Sequence, residues 1–312
     1  MSTFAFVFPG QGSQSVGMLD AWGDHAAVRL TLGEASEALG SDIGRLIHEG
    51  PKEQLDLTTN TQPVMLTAAI ACYRAWLAET GRAPAMVAGH SLGEYSALVA
   101  AGALTLADAL PLVRFRAQAM QEAVPVGAGA MAAILGLDAV VVRDTCAEVA
   151  AATGEAVEAA NYNDPKQTVI AGTKLAVDKA CEALKARGAK RALLLAVSAP
   201  FHSSLMKPAA EQLKERLAGL ALKSPTIPVI NNIDVAAQTD PAAIRDALYR
   251  QAFGPVRWVE IVQAIRARGA THLFECGPGK VLAGLAKRVD AELVVGNVLD
   301  PASLAESKGL IP

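Results

Sequence analysis

Met86-Val87-Ala88-Gly89-His90-Ser91-Leu92-Gly93-Glu94-Tyr95 is the stretch on which the reading of this chain turns. Met86 to Gly89 is a short apolar strand, and Leu92 to Ala101 is apolar nearly all round, as a buried helix is. Between them lies Gly-x-Ser-x-Gly, and strand–turn–helix is the context that a nucleophile elbow requires. A serine on so sharp a turn has strained dihedrals, and its hydroxyl stands clear of the backbone. A side chain at either glycine would collide with the neighbouring strand or helix. The helix start also directs N–H groups at the site, and that of Leu92 can stabilise a developing oxyanion. The same pentapeptide fits a glycine-rich turn without catalysis; the flanking strand and helix favour the nucleophile. Leu92 acts here through its backbone, so its side chain is expected to tolerate substitution.

Working outward, Phe4 to Phe8 is an apolar run stopped by Pro9 and Gly10, and reads as a buried strand. A glycine-rich turn follows, from Gly10 to Gly17. Helical patterns cover Asp24 to Leu39, Gln62 to Glu79 and Leu106 to Glu122, with Pro63 expected in the first turn of its helix. The style then changes. Strands at Met131 to Leu137, Val157 to Tyr162, Thr168 to Gly172 and Arg191 to Val197 alternate with helices at Ala139 to Ala152 and Leu175 to Arg187, the latter closed by Gly188. This βαββαβ order predicts a ferredoxin-like unit. Gly127, Gly129 and Pro200 mark its ends. Strands at Ile227 to Ile230, His272 to Cys276 and Leu293 to Val298, between helices, resume the earlier style. The large part therefore predicts a parallel sheet covered on both faces, and the small unit reads as an insertion.

Composition narrows the function. Apolar residues make up 52% of the 312, enough for a sizeable core. With 28 basic and 31 acidic residues there is no positive excess to bind nucleic acid. The N-terminal apolar run is too short for a signal peptide, and the stretch from Ala97 to Val113 falls short of a membrane span. Cys72, Cys146, Cys181 and Cys276 share no metal or disulfide spacing. Reduced thiols in a cytoplasm are expected.

A serine nucleophile needs a base. Of His25, His48, His90, His202 and His272, the best placed is His202, in a loop just after the small unit's last strand. His90 adjoins the serine and is expected to point away from it. His25 and His48 read as surface residues and His272 as structural. A neutral imidazole at His202 would take the Ser91 proton and return it to a leaving thiolate.

At this point the sequence resembles the malonyl-CoA:acyl-carrier-protein transacylases. The resemblance is carried by Phe8-Pro9-Gly10-Gln11-Gly12-Ser13-Gln14, Gln62-Pro63, the segment from Gly89 to Tyr95, and Ala130-Met131-Ala132-Ala133. Further on come Pro200-Phe201-His202, Leu205-Met206-Lys207-Pro208, Val229-Ile230-Asn231-Asn232 and Gly277-Pro278-Gly279. The match runs from about residue 3 to residue 300. It implies an α/β fold: a large α/β-hydrolase-like domain with a parallel sheet, residues 1–126 and 199–312, plus an inserted ferredoxin-like small domain, residues 127–198. It implies Ser91 as the acylated serine and His202 as its general base. Gln11 resembles the second oxyanion donor, beside Leu92. Arg116 resembles the grip on the malonyl carboxylate, and the Gln251 main-chain carbonyl the group that orients the histidine. Phe201 resembles the aromatic that favours malonyl over methylmalonyl by crowding an α-methyl group. Arginine suits a carboxylate because its planar fork binds both oxygens.

The implied reaction is ping-pong malonyl transfer from malonyl-CoA to acyl carrier protein for fatty acid synthesis, by a monomer, with no metal and no redox cofactor. Lys190 and Arg191 are candidates for docking the acidic carrier, or simply a solvated pair. Service to polyketide synthesis or malonate decarboxylase stays open. Other rivals are an α/β-hydrolase esterase and a non-catalytic carrier-binding subunit. A dinucleotide site fails because Ser15 stands where the third glycine of Gly10-Gln11-Gly12 should follow.

Overall fold

In the computed structural model, which describes residues 3–311, nine strands form two sheets. They are β1 (Thr3–Phe8), β2 (Met86–Gly89), β3 (Gly129–Leu135), β4 (Val157–Asp164), β5 (Gln167–Thr173), β6 (Arg191–Leu194), β7 (Val229–Ile230), β8 (Ala270–Cys276) and β9 (Val294–Val298). The first sheet has the order β7-β2-β1-β8-β9 and is parallel throughout. Alternation along β1 explains its two covered faces. Phe4, Phe6 and Phe8 pack on one side, where Phe6 meets Trp76 edge-on at 5.2 Å. Ala5 and Val7 face Ile261, Val262 and Ile265 on the other. The second sheet is antiparallel, in the order β4-β5-β3-β6. The Ala139–Thr153 and Lys174–Ala186 helices pack on it. Reciprocal amide bonds tie β4 to the large part: Val256 N donates to Ala160 O and Tyr162 N to Val256 O, both at 2.9 Å.

Two local expectations need correction. The helix holding Pro63 begins at Thr58 and runs to Thr80, so Pro63 lies in its second turn. The extra turn is secured by the Thr61 hydroxyl, which donates to the carbonyls of Leu55 and Leu57. β6 ends at Leu194 rather than Val197. It forms the sheet edge, with Leu194 57% exposed. The chain then leaves the sheet, and Leu195 and Val197 wall a cleft.

The carboxyl ends of β1, β2, β7 and β8 open on one side of the parallel sheet, and their loops converge there, as α/β sheets favour for ligand sites. The approach is close enough to demand glycine. A Cβ on Gly93 would lie 2.1 Å from Phe8 O, and one on Gly89 would lie 1.9 Å from the Gly93 backbone. Gly93→Ala is therefore expected to cost about 1–3 kcal/mol or more. Gly33→Ala, in a helix interior with open space around it, should gain about 0.5–1 kcal/mol. Urea unfolding of the two variants checks this; equal midpoints would show that the elbow has room to relax.

Candidate active site

Ser91 ends the β2 turn with φ +53°, a left-handed conformation that a non-glycine residue holds only against strain. Asn232, just beyond β7, keeps the turn in place. Its Oδ1 accepts from Ser91 N at 2.7 Å, and its Nδ2 donates to Gly89 O at 2.6 Å. The Ser91 hydroxyl is thereby aimed into a cleft lined by Gln11, Gln62, Met120, Met131, Phe201 and His202, among others.

His202, also at positive φ, reaches the serine from the loop after β6. Its Nε2 lies 2.6 Å from Ser91 Oγ. Its Nδ1 faces the carbonyls of Gln251 at 3.0 Å and Gly254 at 3.2 Å. Both are acceptors, so Nδ1 carries the proton and Nε2 offers its lone pair to the serine. The ring is 3% exposed. Burial, then the nearby Arg116 charge, push its pKa down to about 3. It is an uncharged base at neutral pH.

Arg116 comes from the Leu106–Glu122 helix and is 2% exposed. Its Nη1 donates to Gln62 Oε1 at 2.9 Å; its Nη2 donates to Gln251 Oε1 at 3.1 Å and to Ser91 Oγ at 3.2 Å. Arg114, two residues away, points elsewhere and bonds Leu39 O and Ser41. Among the described residues, neither the Gln11 nor the Leu92 amide has an acceptor within the protein.

The cleft thus brings together Ser91, His202, Arg116, Gln251, Gln11 and Phe201 from five separated segments. Leu92 adjoins them through its backbone, but its side chain is 1% exposed inside the main core. The expectation that it tolerates substitution is corrected: packing, not chemistry, restricts it. His90 turns to Asn163, 2.9 Å from Nε2, and also borders the cleft. His25 pairs with Glu79, and His48 with Asp20 on the surface. Lys190 and Arg191 sit at the end of β6 away from Leu195 and do not line the cleft.

Residues 5–290 match the acyl transferase domain family. A malonyl CoA-acyl carrier protein transacylase of Escherichia coli K12 is 53% identical over 306 residues, covering 98% of each chain. The chain belongs to the malonyl CoA-acyl carrier protein transacylases. The crystal structure of an acyl-carrier-protein S-malonyltransferase from Burkholderia pseudomallei 1710b shares 68% identity and a TM-score of 0.97 over 99% of this chain and 100% of that one. A malonyl-transacylase solved in complex with its type II PKS acyl-carrier protein shares 50% identity and a TM-score of 0.96, over 98% and 99%.

For a transacylase, three side chains of this site went unassigned in the sequence: Asn232, Gln62 and Glu94. Asn232 and Gln62 lie in motifs that marked the resemblance, yet nothing local told that one holds the elbow and the other the guanidinium. Glu94 directly follows the elbow and is 2% exposed. Burial raises its pKa to about 7. Its signals were its place in the Gly89 to Tyr95 segment that marked the resemblance and its charge inside a helix predicted to be buried.

The His202 shift has a thermodynamic consequence. The imidazole has an ordinary pKa of 6.5 when unfolded and one near 3 when folded. Folding favours its neutral form, so this contribution is complete above pH 6.5 and is lost as pH falls from 6.5 towards 3. Compared with His202→Asn, the wild type should lose stability between pH 8 and pH 5. Urea midpoints at both values test it; a constant difference would mean an unshifted imidazole.

Proposed function

We propose that the enzyme moves malonyl from malonyl-CoA to the phosphopantetheine thiol of acyl carrier protein, through a malonyl ester on Ser91. One observation carries the reading. The Ser91 hydroxyl lies between a buried neutral imidazole at 2.6 Å and a buried guanidinium at 3.2 Å. A nucleophile beside a fixed positive charge suits an acyl group that ends in a carboxylate.

His202 Nε2 takes the Ser91 proton as Oγ bonds the thioester carbon. The oxyanion forms against the amides of Leu92 and Gln11, which have no acceptor of their own. Collapse breaks the C–S bond, and the imidazolium returns the proton to the CoA thiolate. The carrier thiol then gives its proton to His202, attacks the ester carbonyl and takes the malonyl group, and Ser91 regains its proton. Gln251 O and Gly254 O hold the ring throughout and fix its tautomer. Arg116 grips the malonyl carboxylate. Phe201, 8% exposed on the cleft wall, crowds an α-substituent.

The proposed carrier is that of fatty acid synthesis. A polyketide carrier is the second reading, favoured by the related malonyl-transacylase solved with its type II PKS partner. Rates of transfer to the two carriers separate them. A working monomer is proposed. The four unpaired, buried cysteines support a cytoplasmic enzyme, and among the described residues no helix is long and apolar enough to cross a membrane. Residues 127–198, which hold the whole antiparallel sheet, are proposed as the inserted domain.

Malonyl-CoA without carrier should leave a stable adduct on Ser91, seen by intact mass and peptide mapping, and Ser91→Ala should show none. Arg116→Ala should lose malonyl acylation by about 2–5 kcal/mol, a factor of roughly thirty or more, and acetyl acylation by far less. Equal losses would remove the carboxylate grip. Phe201→Ala should narrow discrimination against methylmalonyl-CoA by no more than the roughly 10–200-fold that one methyl supports. An unchanged ratio of kcat/KM values would take Phe201 out of selectivity.

A further inference from the structure

Gln251 has a carboxamide whose two ends face different chemistry. Its Nε2 donates to Glu94 Oε2 at 2.9 Å and to Ser91 O at 3.0 Å. Its Oε1 accepts from Arg116 Nη2 at 3.1 Å. Flipping the amide would set an oxygen against a carboxylate and a carbonyl, and an NH2 against a guanidinium. Glu94 lies on the Gly93–Ala100 helix, one turn from the elbow, and Gln251 is fully buried. The same Oε2 accepts from Asn232 N at 2.9 Å. One buried carboxylate oxygen therefore touches both the residue that holds the elbow and the residue that holds the guanidinium.

We infer that Glu94 is a positioning residue for acyl selectivity: by accepting from Gln251 Nε2 it turns Gln251 Oε1 towards Arg116, and so presets the guanidinium for a substrate carboxylate. This rests on the reading of Arg116 as the malonyl grip. The role is hydrogen-bond acceptance at one point in space. A neutral oxygen in the same place serves it, and an apolar group of the same length does not. Without the acceptor, Gln251 loses a reason to prefer one amide orientation, and Arg116 loses a fixed partner on the Ser91 side. The Asn232 arm is separable, because a loosened elbow slows every acyl donor alike.

The test is the ratio of acylation kcat/KM for malonyl-CoA to that for acetyl-CoA, a quantity independent of how much enzyme is folded. In Glu94→Met the ratio should fall tenfold or more. In Glu94→Gln, which keeps an acceptor, it should stay within about threefold of wild type. An unchanged ratio in Glu94→Met, or an equal loss for both donors, overturns the inference, as does a tenfold fall in Glu94→Gln. If Glu94→Met does not fold, Glu94→Asp replaces it: its carboxylate is withdrawn by one methylene, and an unchanged ratio there also overturns the inference. Arg116→Ala, run alongside, separates the two readings: a ratio unmoved in that variant removes the malonyl grip and this inference with it, whereas a ratio that falls there but holds in Glu94→Met overturns the inference alone.

Discussion

A guanidinium sealed in the protein without a carboxylate bonded to it is the constraint around which the site is arranged. Taking such a charge out of water costs several kcal/mol even after relaxation. Arg116 meets that cost with neutral acceptors, the side-chain oxygens of Gln62 and Gln251 and the Ser91 hydroxyl. Its Nε has no acceptor among the described residues. The Tyr95 ring lies 5.4 Å from the guanidinium carbon and adds a polarisable face. Glu94 is hydrogen-bonded not to the guanidinium itself but to the Gln251 amide that meets it, although its charge also acts on Arg116 through space. The site is therefore oriented but electrically incomplete, which is the state in which an arriving carboxylate gains most.

The same charge shapes the base. After burial it is the largest cause that holds the His202 imidazole neutral. A neutral ring is the form that can accept the serine proton, so the cation proposed to attract the substrate also keeps the proposed base ready. Its contact with Ser91 Oγ favours negative charge on the oxygen in the attack. Rigidity for this arrangement comes from the parallel sheet. Gly93 rests against the Phe8 carbonyl and Gly89 against Gly93, so the elbow cannot move unless β1 moves with it.

Local sequence carried the parts of this structure that local chemistry determines. The elbow was legible because strand, glycine spacing and helix all fall within ten residues. The antiparallel unit was legible from the order of its elements, and β1 from five apolar residues before a proline. The proposed base was legible only as the best of five histidines, since a separation of 111 positions between Ser91 and His202 leaves no periodic trace. The network behind them was less legible still. Glu94 meets Gln251 across 157 positions, and Asn232 meets Gly89 across 143. Such pairs follow from how the ends of β2 and β7 and the Pro241–Phe253 helix converge. The end of β6 was misread for a related reason: the apolar run continues to Val197, but Leu195 and Val197 serve a cleft wall instead of a sheet.

A carbonyl, not a carboxylate, orients the histidine, and the buried guanidinium gives a physical reason. Serine hydrolases commonly set an aspartate on Nδ1, where it stabilises the imidazolium. An aspartate placed behind His202 would also be a fixed counter-charge close to Arg116. It would raise the imidazole pKa and offset the charge that is proposed to meet the malonyl carboxylate. The carbonyls of Gln251 and Gly254 supply direction and tautomer without adding charge. The weaker stabilisation of the imidazolium is tolerable here, because the proton is held only until a thiolate departs, and a thiolate is a far better leaving group than an amine. Neutral carbonyls behind the ring thus support the proposed preference for a charged acyl group over a neutral one.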